Sequence, residues 1–233
     1  MEISTDSGQT SVTETVFLHA DTFVMSVAGC LLDLNFVVDS SESMNSRPAR
    51  SWDITLEFIA NVISQFTIGP NNVQVAFVLF NAGPTIEWGL TLYRDSASLL
   101  AAIRNVRYIG TTIIRNLNAA LYLTRTQVFG PGSGTRPNAV KATIILTDGI
   151  DNVRPSLTIA NATECKNQGI RLIAIGISYN VDGDRLLQIV SSPSDYHAVD
   201  DFDTLPSVIA QLQPEQICFR APTPPPGPST GRY

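Results

Sequence analysis

Asp39-Ser40-Ser41-Glu42-Ser43 sets one carboxylate ahead of two hydroxyls at alternate positions. Thr147-Asp148-Gly149 supplies a second carboxylate, followed by a glycine that permits a tight turn, and Thr111 and Thr112 after Gly110 offer a further hydroxyl loop. Oxygen donors without His or Cys suit a hard cation, Mg²⁺, Mn²⁺ or Ca²⁺, and disfavour zinc and copper. Few carboxylates on such an ion would leave it residual positive charge for an incoming acidic group. The competing reading is that Asp39, Ser41 and Ser43 only cap the next helix, a role those residue types favour. Glu42 reads as a solvated rim charge, and Asp151 as a support for the site or a turn residue.

Those residues need elements to position them. Leu31–Val38 is an apolar strand ending at Asp39, and Ala142–Thr147 another ending at Asp148-Gly149. Val73–Phe80 and Ile170–Ile177 are further buried strands. Between them, Trp52, Leu56, Ile59, Ile63 and Phe66 recur at helical spacing, and Ser96 caps a helix through Ile103. Helices are also expected over 116–128, 156–168 (stopped by Gly169), 182–190 and 203–212, with a short segment around Ile86 and Trp88. This alternation predicts an α/β fold, a doubly wound and mostly parallel sheet with helices on both faces. Ligands of such sheets bind at the carboxyl ends of the strands where strand order reverses, the edge on which both aspartates fall.

Composition narrows the function. The 233 residues carry a net charge of −6, and only 15% are charged, as expected when central strands are covered on both faces. The chain has no Lys/Arg cluster, which excludes nucleic acid as a natural partner, and no apolar run near the ~20 residues of a membrane span. Met1–Thr15 is polar and lacks the basic and apolar regions of a signal peptide. Residues 1–29 read as an unassigned extension. The stretch 219–233, with Pro222, Pro224, Pro225, Pro226 and Pro228, reads as an extended linker or tail.

Three cysteines are present. Cys30 and Cys218 bracket residues 30–218. A bridge between them would add at most about 5 kcal/mol in the chain-entropy model and would imply an oxidising compartment; the other reading is a pair of reduced thiols. Cys165 falls in a helical pattern as a partly buried free thiol, and Asn161-Ala162-Thr163 is a glycosylation sequon. Trp52 and Trp88 read as packing residues. His19 and His197 stand apart from the motif and suggest no catalytic base, and Asp182 and Asp184 read as turn residues.

Asp39-Ser40-Ser41-Glu42-Ser43-Met44 after Phe36-Val37-Val38, together with Ile144-Ile145-Leu146-Thr147-Asp148-Gly149, resembles the von Willebrand factor A domain and its metal-ion-dependent adhesion site. The likeness runs from about Leu31 to Cys218, and the flanking cysteines and Gly169–Gly176 are similar to those of extracellular members. The resemblance implies a Rossmann-like sheet with one short antiparallel edge strand. It implies a metal site of Asp39, Ser41, Ser43, Thr112 and Asp148, holding Mg²⁺ (or Mn²⁺ or Ca²⁺) with an open position for a partner's carboxylate. It further implies a Cys30–Cys218 disulfide and a secreted, non-catalytic adhesion or matrix-assembly module whose partner is an extracellular protein, collagen or another matrix component.

The threonine depends on register. Counting forward from Tyr108-Ile109-Gly110 gives Thr112; counting back from Ala120-Leu121 gives Arg115, because the segment is two residues longer than the family's. Thr112 is the expected residue, with the insertion bulging from the loop. The alternatives are a structural module with a degenerate site, an intracellular scaffold, and a Mg²⁺-dependent phosphotransferase using Asp39 as nucleophile. The last would lack a phosphate-holding lysine near the motif, since Lys141 and Lys166 are the only lysines.

Overall fold

In the computed structural model, which describes residues 31–45, 50–110 and 112–218, six strands form one sheet. They are β1 (Leu32–Asp39), β2 (Val73–Phe80), β3 (Pro84–Trp88), β4 (Val140–Thr147), β5 (Ile170–Ile177) and β6 (Tyr196–Val199). Their order across the sheet is β3-β2-β1-β4-β5-β6. All neighbours are parallel except β3, which runs antiparallel to β2 at the edge. Every residue of β1, β2 and β5 is buried, the burial that continuous apolar runs require when helices cover both faces.

The period-two alternation of strand side chains divides the interior in two. Leu32, Leu34, Phe36 and Val38 of β1 pack on one face with α1 (Ser51–Ile63), α2 (Ser96–Arg104) and the 3₁₀ segment Phe202–Leu212. Val37 and, from β4 and β5, Ile145, Leu172 and Ala174 face the other layer. That layer contains α3 (Leu117–Leu123), α4 (Pro155–Asn167) and α5 (Gly183–Ile189). Trp52 and Trp88 are core residues, as their spacing suggests.

Several boundaries differ from expectation. The cap of α2 is Asp95, whose carboxylate accepts from Ser98 N at 2.9 Å, rather than Ser96; a carboxylate one residue earlier reaches the free amide. The helix expected over 116–128 ends at Leu123 and continues as a π turn to Val128, with Phe129 N donating to Thr124 O. Phe202–Leu212, which contains Pro206, is a 3₁₀ segment followed by α6 (Pro214–Cys218). Strand β6 was not anticipated, because four residues are too short for a periodic signal. Gly169 stops α4 as expected, in the left-handed region at φ 74°.

Strand β1 pairs with β2 on one side and β4 on the other, so strand order reverses at its carboxyl end. There Asp39 and Thr147 end neighbouring strands and open the crevice that the topology prescribes. Residues 1–30 and 219–233, with Cys30 and both proposed flanking segments, lie outside the described residues.

Candidate functional site

The site is built on the last residues of β1 and β4. Ser40 ties the end of β1 to β2, its N donating to Phe80 O at 2.8 Å and its Oγ to the same carbonyl at 3.2 Å. Asp39 is fully buried. Its Oδ1 accepts from Ser41 N at 2.8 Å and its Oδ2 from Thr147 Oγ1 at 2.7 Å. Ser43 Oγ donates to Asp148 Oδ1 at 2.7 Å, and the Ser41 and Ser43 hydroxyls lie 3.3 Å apart. The sheet edge thus gathers Asp39, Ser41, Ser43 and Asp148 into one set of oxygens.

The remaining proposed ligand is arranged differently. Thr112 O accepts from Glu42 N at 2.8 Å, which fixes this loop against the Asp39–Ser43 turn, while Thr112 Oγ1 accepts from Ile114 N at 3.1 Å. Thr111 lies outside the described residues. The side chain that reaches the oxygens is Arg115. Its Nε stands 3.2 Å from Asp39 Oδ2, and its Nη2 lies 2.5 Å from Ser43 Oγ and 3.5 Å from Asp148 Oδ1. The arginine is held from both sides of its backbone: Arg115 N donates to Asn152 Oδ1 at 2.9 Å, and Asn152 N donates to Arg115 O at 3.2 Å. Asn152 Nδ2 also donates to Ile113 O at 2.9 Å.

Two supports had no signal in the motif. Tyr108 Oη donates to Ser41 O and Glu42 O, at 2.8 and 2.9 Å, stapling the loop before Gly110 onto the Asp39–Ser43 turn. Asn152 clamps the Arg115 loop to the turn after Asp148; its place three residues beyond Gly149 is the only hint that the sequence offers. Gly149 was expected to permit a tight turn, but its φ is not in the left-handed region. Its role is close approach, since a Cβ there would fall 2.5 Å from Arg115 Nε and 2.7 Å from Nη2. Asp151 is buried and accepts from Thr158 Oγ1, so it anchors the start of α4. Glu42 is exposed.

Burial, reinforced by the neighbouring Asp148 charge, pushes Asp39 up to about 6 despite its bonds from Thr147 and Ser41. Burial also raises Asp148, only partly countered by Ser43 and Arg115. The donor chemistry is right for a hard divalent cation. The arrangement is not: the guanidinium already engages Asp39, Ser43 and Asp148, and an ion ~2.0–2.6 Å from the same oxygens would touch a like charge. As the side chains stand, the set does not fit a divalent ion. Among the described residues no cluster of three His, Cys, Asp or Glu forms an alternative metal site.

Cys218 is disulfide-bonded and Cys165 is a buried free thiol; Cys30 lies outside the described residues. No described helix is long and apolar enough to cross a membrane.

Residues 33–211 match the family model of the von Willebrand factor type A domain. The chain is 34% identical over 200 residues to the mouse collagen alpha-1(XX) chain, covering 83% of this chain and 14% of that one. It is 33% identical over 184 residues to human matrilin-1, covering 77% of this chain and 35% of matrilin-1. It therefore spans about a third or less of these relatives' lengths. Among solved structures, proximal thread matrix protein 1 from the mussel byssus superposes with a TM-score of 0.73 at 25% identity, over 80% of this chain and 46% of that one. A second structure of that protein, with a zinc-occupied MIDAS motif, gives the same TM-score at 26% identity, over 79% of this chain and 45% of that one.

Proposed function

Because the chain belongs to the von Willebrand factor type A domain family, we propose that it is an extracellular protein-recognition module of adhesion or matrix assembly that grips its partner at the carboxyl edge of the sheet. The supporting observation is the rim of that edge. Ile109, Ile113, Ile114 and Ile150 are exposed on the loops that carry Gly110, Arg115 and Gly149, Ile113 at 69%. A cluster of exposed branched side chains around a fixed polar centre is the make-up of a protein-binding surface. The partner is an extracellular protein, collagen or another matrix component. We assign no nucleophilic role to Asp39, because it is buried and engaged by Ser41, Thr147 and Arg115.

Surface binding to immobilised matrix proteins, collagen first, tests the reading. Ile113→Asp and Ile150→Asp are expected to weaken binding at least about ten-fold, while Leu92→Asp, exposed beside Thr91 near the loop that precedes β4, leaves it unchanged. Equal loss in all three would sink it.

A second reading is capture of a partner's acidic group through Mg²⁺, Mn²⁺ or Ca²⁺. The assembled oxygens of Asp39, Ser41, Ser43 and Asp148 favour it, and it requires Arg115 to leave. Binding abolished by EDTA and restored by Mg²⁺ would establish it, and binding indifferent to EDTA would exclude it.

A further inference from the structure

We propose that Arg115 is the resident cation of this edge: its guanidinium closes the oxygen set against divalent ions, and removing it opens the set to them. Three observations carry the inference. The guanidinium contacts three of the four side chains that make up the set, Asp39, Ser43 and Asp148. The side chain is only 15% exposed, so this is a cation withdrawn from water and not a mobile surface ion pair. The surroundings are also shaped to hold it, since Gly149 leaves open the volume that the guanidinium fills and Asn152 pins the Arg115 backbone through both N and O.

The charge balance explains the competition. Arg115 brings one positive charge to two buried carboxylates. An arriving divalent ion would bring two but would have to expel the guanidinium, breaking its bonds to Ser43 and Asp148 and meeting a like charge on the way. With Arg115 shortened, Asp39 and Asp148 are left as uncompensated buried carboxylates beside two hydroxyls, which is the donor chemistry of a Mg²⁺ or Mn²⁺ site. The inference does not depend on which partner the module binds, and it is tested on the chain alone.

Mn²⁺ is titrated into the full chain and into Arg115→Thr and Arg115→Ala, with free Mn²⁺ followed by its paramagnetic resonance signal and heat by calorimetry. The wild type is expected to show no saturable site below about 1 mM, the weak end of natural extracellular cation sites. Each variant is expected to bind one ion per chain at least about ten-fold more tightly, and Mg²⁺ should raise its melting temperature but not that of the wild type. Adding Asp39→Asn to Arg115→Thr should abolish the gain. One Mn²⁺ held by the wild type as tightly as by the variants would overturn the proposal, as would folded variants that bind none. Should neither variant fold, the wild-type titration decides: a saturable site overturns the proposal, and none supports it.

Discussion

At Gly149 and Cys165 a single atom decides the energetics. A methyl group on Gly149 would meet the Arg115 guanidinium at 2.5 Å from Nε, so the guanidinium must shift from its contacts with Asp39 and Ser43 to admit it. Gly149→Ala is therefore expected to destabilise the fold by about 1–3 kcal/mol through overpacking, measured by urea unfolding. Combined with Arg115→Ala, the same methyl should cost much less, because its obstacle is gone; additive losses would show that the two residues do not press on each other. Cys165 is buried between α4 and α3, its Sγ 3.6 Å from Leu121 O, and burial pushes its thiol up to about 12. A thiol whose folded pKa is raised from 9.0 favours the fold below pH 9 and withdraws that support as pH climbs from 9 towards 12. At pH 8 it should resist alkylation in the native chain and react at once when the chain is unfolded.

At the scale of elements, a buried ion pair ties the start of β5 to the C-terminal helix. Arg171 is buried, its Nη2 donating to Asp195 Oδ1 at 2.6 Å and its Nη1 to Gln216 O and Ile217 O of α6 at 2.6 and 3.2 Å. Asp195→Ala would leave a buried guanidinium short of its counter-charge and is expected to cost about 3–5 kcal/mol, read from the denaturation midpoint. Strands of this kind were legible because an apolar run covered on both faces has few alternatives. The helical stripe Trp52–Ile63 was legible because every member of it is core. Less legible were segments in which a side chain far along the chain decides the outcome: the π turn after Leu123, where Asn35 Nδ2 of β1 reaches Thr124 Oγ1, and the four-residue β6. The carboxylates and serines of the site could be read from strand ends. Arg115 could not be separated from Thr112, because two extra residues in a loop leave sequence register undefined, and long-range bonds, from Asn152 to the Arg115 backbone and from Glu42 N to Thr112 O, set which side chain turns inward.

For the whole molecule, the thiols report on the compartment. We expect Cys30 to be the partner of Cys218, so that denatured, non-reduced chain titrates one thiol, Cys165; three would point to an intracellular scaffold. Reduction is then expected to remove at most about 5 kcal/mol of stability, seen as a lower melting temperature. One arrangement in the fold bears on what the two ends of the described chain leave free. β1 begins at Leu32, beside Val73 and Val140 at the starts of β2 and β4, and Arg171 at the start of β5 holds Ile217. The two ends of the described residues therefore sit on one edge of the sheet, and the isoleucine rim sits on the other. A load applied between those two ends would enter the sheet at the starts of β1 and β5, the latter through the Arg171 bonds to Gln216 O and Ile217 O. On the proposed reading, a partner seated on the isoleucine rim would lie away from that line of load.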